Sequence, residues 1–131
     1  MTREAITQTL RVDLDERSYD IVIGNGLVES AGVRIKHLLS SPRVLTITDE
    51  NVAEHWLEPF NQSLKAEGIT HSDLILPPGE QTKSFEYLQK VCEWMLETGT
   101  DRKTTLVALG GGVIGDLAGF AAAITLRGMP F

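Results

Sequence analysis

Thr104 to Gly115, TTLVALGGGVIG, is the stretch that decides the fold. The apolar, β-branched run from Thr104 to Leu109 predicts a buried strand, and it leads directly into three consecutive glycines. Gly110, Gly112 and Gly115 have the G-x-G-x-x-G spacing between this strand and a predicted helix. Glycines at such a turn let the backbone approach a pyrophosphate, whose charge meets free N–H groups at the helix start. The same turn is also compatible with tight packing alone.

Upstream of this turn, strands and helices alternate. Strands are predicted at Arg43 to Thr48 and at Ser72 to Leu76. Between them, the pattern predicts a helix that begins near Asn51, is interrupted and restarted at Pro59, and ends before Gly68. Because parallel strands need crossover helices, this order predicts an α/β fold with a Rossmann-like parallel sheet and flanking helices.

A hairpin and two more helices complete the predicted fold. Thr7 to Leu14 and Ser18 to Gly24 alternate as half-buried strands do, and together they predict an amino-terminal β-hairpin. Leu27 to Leu39 has the period of an amphipathic helix. A further helix is predicted from Ser84 to Glu97, with Gly99 as its C-cap glycine. Its predicted apolar stripe consists of Phe85, Leu88, Cys92 and Met95.

Three polar segments follow the predicted strands, and ligands of such sheets bind beyond the carboxyl ends of the strands. Asp49 either caps the next helix or binds a ribose. In the loop from Pro77 to Lys83, Glu80 and Lys83 either form a solvated turn or bond ribose hydroxyls or a phosphate. Asp116, beyond the glycines, either complements the helix dipole or accepts hydrogen bonds from a ribose or a nicotinamide amide.

Composition limits the class of protein. With 131 residues, 42% hydrophobic and 23% charged, the chain fits a single globular domain over residues 1–131. A net charge of −6 without a basic stripe disfavours nucleic acid as a partner. The sequence has neither a signal-peptide h-region nor a membrane-spanning run, so we expect a cytoplasmic protein with no membrane partner. Cys92 is expected to be a buried structural thiol, and His37, His55 and His71 lack metal-site spacing.

The run from Leu109 to Phe131, LGGGVIGDLAGFAAAITLRGMPF, resembles the GGGVxGDLxGFxAAxxxRGxxF signature of 3-dehydroquinate synthases almost position for position. RSYDIVIGNGL, TDENV and PPGEQTK also resemble segments of that family. The resemblance implies a lyase that converts 3-deoxy-D-arabino-heptulosonate 7-phosphate to 3-dehydroquinate, in the shikimate pathway to chorismate and the aromatic amino acids. It also implies NAD, a divalent metal (zinc or cobalt) and a homodimer.

The resemblance assigns roles to individual residues. Asp49 and Asn51 are expected near the adenosine ribose of NAD. The cofactor is expected to contact one loop and the glycine turn: Gly79, Glu80, Gln81, Thr82 and Lys83 in the loop, and Gly111, Gly112, Val113, Ile114, Gly115 and Asp116 at the turn. Arg127 matches the family arginine that contacts the substrate phosphate, either within its own subunit or from across a dimer interface. A guanidinium suits that task because its donors fit phosphate oxygens bidentately.

Other parts of the family site have no counterpart in the sequence. The metal ligands, the catalytic lysines and asparagine, and a TT motif and lysine at the cofactor all belong to a downstream region. The acid that a standard Rossmann site carries about twenty residues after the glycines is also missing. The resemblance therefore implies an NAD-binding domain that is incomplete at its carboxy-terminal end, lacks the helical metal-binding domain, and is inactive alone.

Three other functions stay open. A sugar-phosphate cyclase such as 2-deoxy-scyllo-inosose synthase would share the fold and NAD, but that family tends to replace the acid found here as Asp116. A glycerol dehydrogenase-like enzyme has a related GGG turn and lacks the LAGFAAA and RG continuation. The third alternative is a non-catalytic nucleotide-binding or interaction module.

Overall fold

The computed structural model describes residues 7–131. Residues 1–6, which the predicted domain includes and on which the expectation of no signal peptide partly depends, lie outside the described residues. The described chain has two sheets and five α-helices. The strands are β1 (Thr7–Val12), β2 (Tyr19–Gly24), β3 (Arg43–Asp49), β4 (Thr70–Leu76) and β5 (Thr105–Leu109). The helices are α1 (Ala31–Ile35), α2 (Glu50–Val52), α3 (Glu58–Ala66), α4 (Phe85–Glu97) and α5 (Gly112–Ile124).

The parallel sheet is confirmed, with the strand order β4-β3-β5. β3 lies in the middle and is fully buried from Val44 to Thr48, as expected of a strand covered on both faces. One face packs against α4 and α5 through a core that includes Leu45, Ile47 and Met95. The other face packs Val44 against residues of α3 and its flanks. The result is a layer of helices on each side of the sheet.

The amino-terminal hairpin is confirmed, but its strands are not half-buried. β1 and β2 pair antiparallel as a separate two-stranded sheet, with Thr7 opposite Gly24 and Val12 opposite Tyr19. Most residues of both strands are exposed, including Ile23 at 54%. The alternation predicted a buried face, whereas a two-stranded sheet apart from the main sheet leaves both of its faces largely uncovered.

Two helix predictions need correction. The helix predicted over residues 27–39 is shorter, because α1 covers Ala31–Ile35 and a single 3-10 turn follows over Lys36–Leu38. The predicted interruption at Pro59 is wrong: a π-helical segment, Ala53–Leu57, joins α2 to α3 without a break. Pro59 is the second residue of α3, and the wider π turn immediately before this helix accommodates it.

α4 and its C-terminal glycine are confirmed, and the structure adds an N-cap. The Ser84 side chain accepts a hydrogen bond from the Tyr87 N–H at 3.3 Å, and Gly99 has a left-handed φ of 69°. The predicted apolar stripe is wrong at Phe85, which is 85% exposed, and Cys92 is only partly buried. The buried side chains of α4 are instead Leu88, Val91 and Met95, and Val91 is fully buried.

After α5 the chain turns back along β5. The Leu106 N–H donates to the Pro130 carbonyl at 2.8 Å, and the Met129 N–H donates to the Ala122 carbonyl at 2.8 Å. The ring of Phe131 lies so close to Gly119 that a Cβ there would be 2.9 Å from it. No helix within residues 7–131 is long and apolar enough to cross a membrane.

Candidate functional site

The carboxyl ends of the three parallel strands meet at one edge of the sheet, as predicted. Asp49 is paired with Leu76, and Thr48 with Leu109. The Thr48 hydroxyl donates to the Leu109 carbonyl at 2.7 Å, which ties β3 to β5 immediately before the glycines. The polar segments that follow these strands therefore lie along a common edge, where ligands of parallel sheets bind.

Asp49 is an N-cap, which confirms one of its two interpretations. Its Oδ1 accepts a hydrogen bond from the Val52 N–H at 2.9 Å, and its backbone is extended. Within the described residues, Oδ2 makes no hydrogen bond. Asn51 lies exposed in the same first turn. The cap therefore uses one carboxylate oxygen and leaves the other available to a ribose hydroxyl.

The glycine turn is open where a ligand would need space. A Cβ built on Gly111, Gly112 or Gly115 meets nothing within 4 Å, and none of these glycines has a positive φ. On Gly110, by contrast, a Cβ would lie 3.1 Å from the Cβ of Ile114. Tight packing within the chain thus explains Gly110 and leaves the other three glycines unexplained. Space for the close approach of a ligand would account for all three.

The helix that follows the glycines presents N–H groups to this space. In a helix, the N–H groups of the first turn have no partner within the helix, which here applies to Gly112, Val113 and Ile114. The helix dipole adds partial positive charge at the same end. Ile114 is 2% exposed with its side chain in the core, so it faces a ligand through its backbone only.

The loop after β4 is held by its own residues. Gly79 has a φ of 107°, a conformation that favours glycine. The buried Thr82 donates its hydroxyl proton to the Pro77 carbonyl at 2.6 Å. Gln81 donates from Nε2 to the Pro78 carbonyl at 3.3 Å. These residues shape the loop, whereas Glu80 and Lys83 are exposed.

Lys83 connects this loop to the glycine-turn helix. Its Nζ lies 2.7 Å from Oδ2 of Asp116, and both side chains are about half exposed. The hydrogen bond from Lys83 to Asp116, reinforced by the charge of the carboxylate, raises the pKa of Lys83 above its ordinary value. Neither the solvated-turn interpretation of Lys83 nor the two interpretations of Asp116 included this pair. The ammonium offsets the carboxylate charge that would otherwise repel an anion beside α5.

An apolar cleft of about 290 Å³ adjoins the ion pair. Its walls consist of Lys83, Ser84, Phe85, Leu88, Asp116, Leu117 and Phe120. Sequence reasoning missed Phe85 and Phe120, which are 85% and 53% exposed. The available signal was position in the sequence, because Phe85 lies two residues after the loop and Phe120 lies one helical turn after Asp116. A flat, apolar ring system would fit beside this ion pair.

Arg127 is not brought to this edge. α5 has 13 residues, so its two ends lie about 20 Å apart, and Arg127 follows the far end. There it borders an open cleft with Arg102, Lys103 and Leu126. Within one copy of the chain, Arg127 and the glycine turn are therefore separate sites.

Within residues 7–131, no three His, Cys, Asp or Glu side chains are grouped so that they could hold a metal ion. His71 lies 3.2 Å from Asp73, whose other oxygen accepts from Asn61 at 2.7 Å. The Cys92 sulfur accepts a hydrogen bond from the Thr125 hydroxyl at 3.6 Å.

The amino-acid sequence of the chain is similar to that of 3-dehydroquinate synthases. Residues 73–131 match the family described as 3-dehydroquinate synthase N-terminal. The 3-dehydroquinate synthase of Rhizobium meliloti (strain 1021) is 55% identical over 122 residues, which are 93% of this chain and 32% of that protein. That of Rhizobium rhizogenes (strain K84 / ATCC BAA-868) is 50% identical over all 131 residues and 35% of its own length. The chain thus spans about a third of these relatives, and the predicted resemblance is confirmed.

Solved structures of related enzymes share the fold. A 2-deoxy-scyllo-inosose synthase, complexed with carbaglucose-6-phosphate, NAD+ and Co2+, superposes with a TM-score of 0.79 at 24% identity, over 93% of this chain and 33% of the other. ValA, a 2-epi-5-epi-valiolone synthase from Streptomyces hygroscopicus subsp. jinggangensis 5008 with NAD+ and Zn2+ bound, gives 0.75 at 28% identity, over 92% and 33%. The chain has the fold of the matching part of sugar-phosphate cyclases.

Proposed function

We propose that this chain is the amino-terminal, NAD-binding part of a 3-dehydroquinate synthase. The whole protein would convert 3-deoxy-D-arabino-heptulosonate 7-phosphate to 3-dehydroquinate and phosphate, in the pathway to chorismate and the aromatic amino acids. The observation that carries the proposal is the open space over Gly111, Gly112 and Gly115, next to free N–H groups, in a chain about half identical to such synthases.

The residues at the strand ends fit NAD. The pyrophosphate would bind at the start of α5, where N–H groups and the helix dipole favour an anion. Asp49 and Asn51 would lie near the adenosine ribose, with Oδ2 of Asp49 as a hydrogen-bond acceptor. Glu80 and Lys83 would border the cofactor from the loop, and the cleft beside Asp116 has an apolar wall for a nicotinamide ring.

NAD would supply a reversible oxidation of a ring alcohol of the substrate, so that no net NADH accumulates. This chain would contribute cofactor binding, an apolar wall beside the nicotinamide ring, and a cation for the substrate phosphate. The divalent metal that accompanies NAD+ in ValA finds no ligand group within residues 7–131. Metal binding and the groups that move protons are therefore assigned to the rest of the protein, and residues 1–131 alone would not turn over substrate.

Arg127 supports a homodimer in this proposal. It follows the end of α5 that lies about 20 Å from the expected position of the pyrophosphate. An arginine that reaches the active site of a second copy would fit this distance. If Arg127 binds the substrate phosphate of a second copy, the active protein is a dimer.

The test is an assay of the full-length protein with separate sugar phosphates. We expect 3-dehydroquinate and phosphate in equal amounts from the heptulosonate 7-phosphate, with no net NADH. Product from glucose 6-phosphate and none from the heptulosonate would instead identify an inosose synthase. Net NADH formation with glycerol would identify a polyol dehydrogenase.

A further inference from the structure

The turn that follows α5 has an unusual backbone. Leu126 and Arg127 have φ angles of 51° and 64°. Both lie in the left-handed region, which disfavours residues that carry a Cβ. Two consecutive non-glycine residues keep such a conformation only where surrounding contacts hold it. The direction in which the Arg127 side chain leaves the turn therefore depends on these contacts.

Backbone contacts fix the chain on either side of the two residues. The Gly128 N–H donates to the Thr125 carbonyl at 2.9 Å, and the Met129 N–H donates to the Ala122 carbonyl at 2.8 Å. Met129 is 7% exposed and anchors the returning chain in the core. Neither of these hydrogen bonds uses the Leu126 carbonyl at the centre of the turn, which can therefore accept one from another donor.

Arg102 supplies that donor. Its Nε donates to the Leu126 carbonyl at 2.8 Å, across 24 residues of sequence. Arg102 itself extends from a rigid loop, because Asp101 Oδ1 accepts from the N–H groups of Lys103 and Thr104, each at 2.9 Å. The Thr104 hydroxyl donates to the same oxygen at 3.1 Å. Arg102 thus ties the left-handed turn to a fixed point before β5.

The two arginines border the same cleft. Arg102 and Arg127 line an open cleft of about 740 Å³, together with Lys103. Within residues 7–131, no ion pair includes either arginine. We propose that Arg102 is a positioning residue for Arg127: by holding the Leu126 carbonyl, it fixes the orientation in which Arg127 meets the substrate phosphate. This inference rests on the proposed function, which assigns that phosphate contact to Arg127.

The test compares variants of the full-length protein, with Lys103→Ala as a matched control that removes a neighbouring cation and leaves the Leu126 contact in place. For Arg102→Ala, we expect KM for the heptulosonate phosphate and the inhibition constant of inorganic phosphate to rise about tenfold, with kcat within about twofold. Lys103→Ala should change KM by no more than about twofold. Equal changes in KM for the two substitutions would mean that Arg102 acts only as a nearby positive charge, and would overturn the proposal.

Two further variants separate positioning from a general loss of structure. Leu126→Gly added to Arg102→Ala should recover part of the lost affinity, because glycine accepts the left-handed backbone. Arg102→Ala added to Arg127→Ala should raise KM little further, since the effects of coupled residues are not additive. Full additivity of the two arginine substitutions would contradict the proposal.

Amide hydrogen exchange provides a readout that needs no catalysis. In the full-length protein, exchange at residues 126–129 should be faster in Arg102→Ala than in wild type, and unchanged in Lys103→Ala. Unchanged exchange in Arg102→Ala would overturn the positioning role. A wild-type protein without synthase activity but with faster exchange in this variant would overturn the proposed function and retain the structural role of Arg102.

Discussion

Gly112→Ala separates a ligand site from a packing turn. The new methyl group would enter space that is empty within 4 Å, at the first position of α5. Since alanine is the better helix former, we expect the free energy of unfolding to stay the same or to rise by up to about 1 kcal/mol. NAD, in contrast, would lose its close approach to an N–H group. Loss of one charge-assisted hydrogen bond costs about 1.5–3 kcal/mol, which lowers the affinity about 10- to 150-fold.

Gly110→Ala is the matched control. Its Cβ would lie 3.1 Å from the Cβ of the buried Ile114, so we expect a loss of about 1–3 kcal/mol in stability. Calorimetric titration of the full-length protein with NAD, together with thermal unfolding of each variant, measures both quantities. If Gly112→Ala binds NAD as wild type does, or if it unfolds as readily as Gly110→Ala, the cofactor interpretation of the turn is refuted.

The remaining predictions concern three charged residues. Asp49→Asn should keep the helix cap and weaken NAD binding. Asp49→Ala should weaken NAD binding and also destabilise the fold by about 1 kcal/mol, because it removes the cap. Equal unfolding temperatures for the two variants would contradict the capping role of Asp49. Because its hydrogen bond and charge interaction with Asp116 raise the pKa of Lys83, this pair stabilises the fold from neutral pH to pH 10.5 and is lost as the pH rises through the raised pKa. The difference in unfolding temperature between wild type and Lys83→Met should therefore stay constant from neutral pH to pH 10.5 and shrink at higher pH. Hydrogen bonds, the strongest from the Lys103 N–H, lower the pKa of Asp101. The ionised carboxylate therefore stabilises the fold fully above pH 3.8, and this stabilisation disappears as the pH falls through the lowered pKa. The unfolding temperature of Asp101→Asn should differ from that of wild type at neutral pH and converge with it in acid.

The features that sequence predicted correctly depend on local patterns. The continuous apolar run of β3 predicted a strand buried on both faces, and the cap at Asp49 follows from a side chain and an N–H group three residues apart. The common edge of the sheet follows from the alternation of strands and helices. Each of these inferences needs only neighbouring residues and the rules of parallel sheets.

The features that sequence did not predict depend on contacts between distant segments. Lys83 and Asp116 are 33 residues apart, and the contact of Arg102 with Leu126 spans 24. Phe85 has the helical period of a core residue, yet no described element covers it. Leu126 and Arg127 have left-handed φ angles, although neither is a glycine that would predict such a turn from sequence. Tertiary contacts hold this turn.

The most direct test of the cofactor site is a crystal structure of the full-length protein with NAD. We predict that the pyrophosphate oxygens lie within hydrogen-bond distance of the N–H groups of Gly112 and Val113, and that a ribose hydroxyl lies within hydrogen-bond distance of Asp49 Oδ2. NAD bound away from the glycine turn, or with its pyrophosphate remote from the start of α5, would contradict the account.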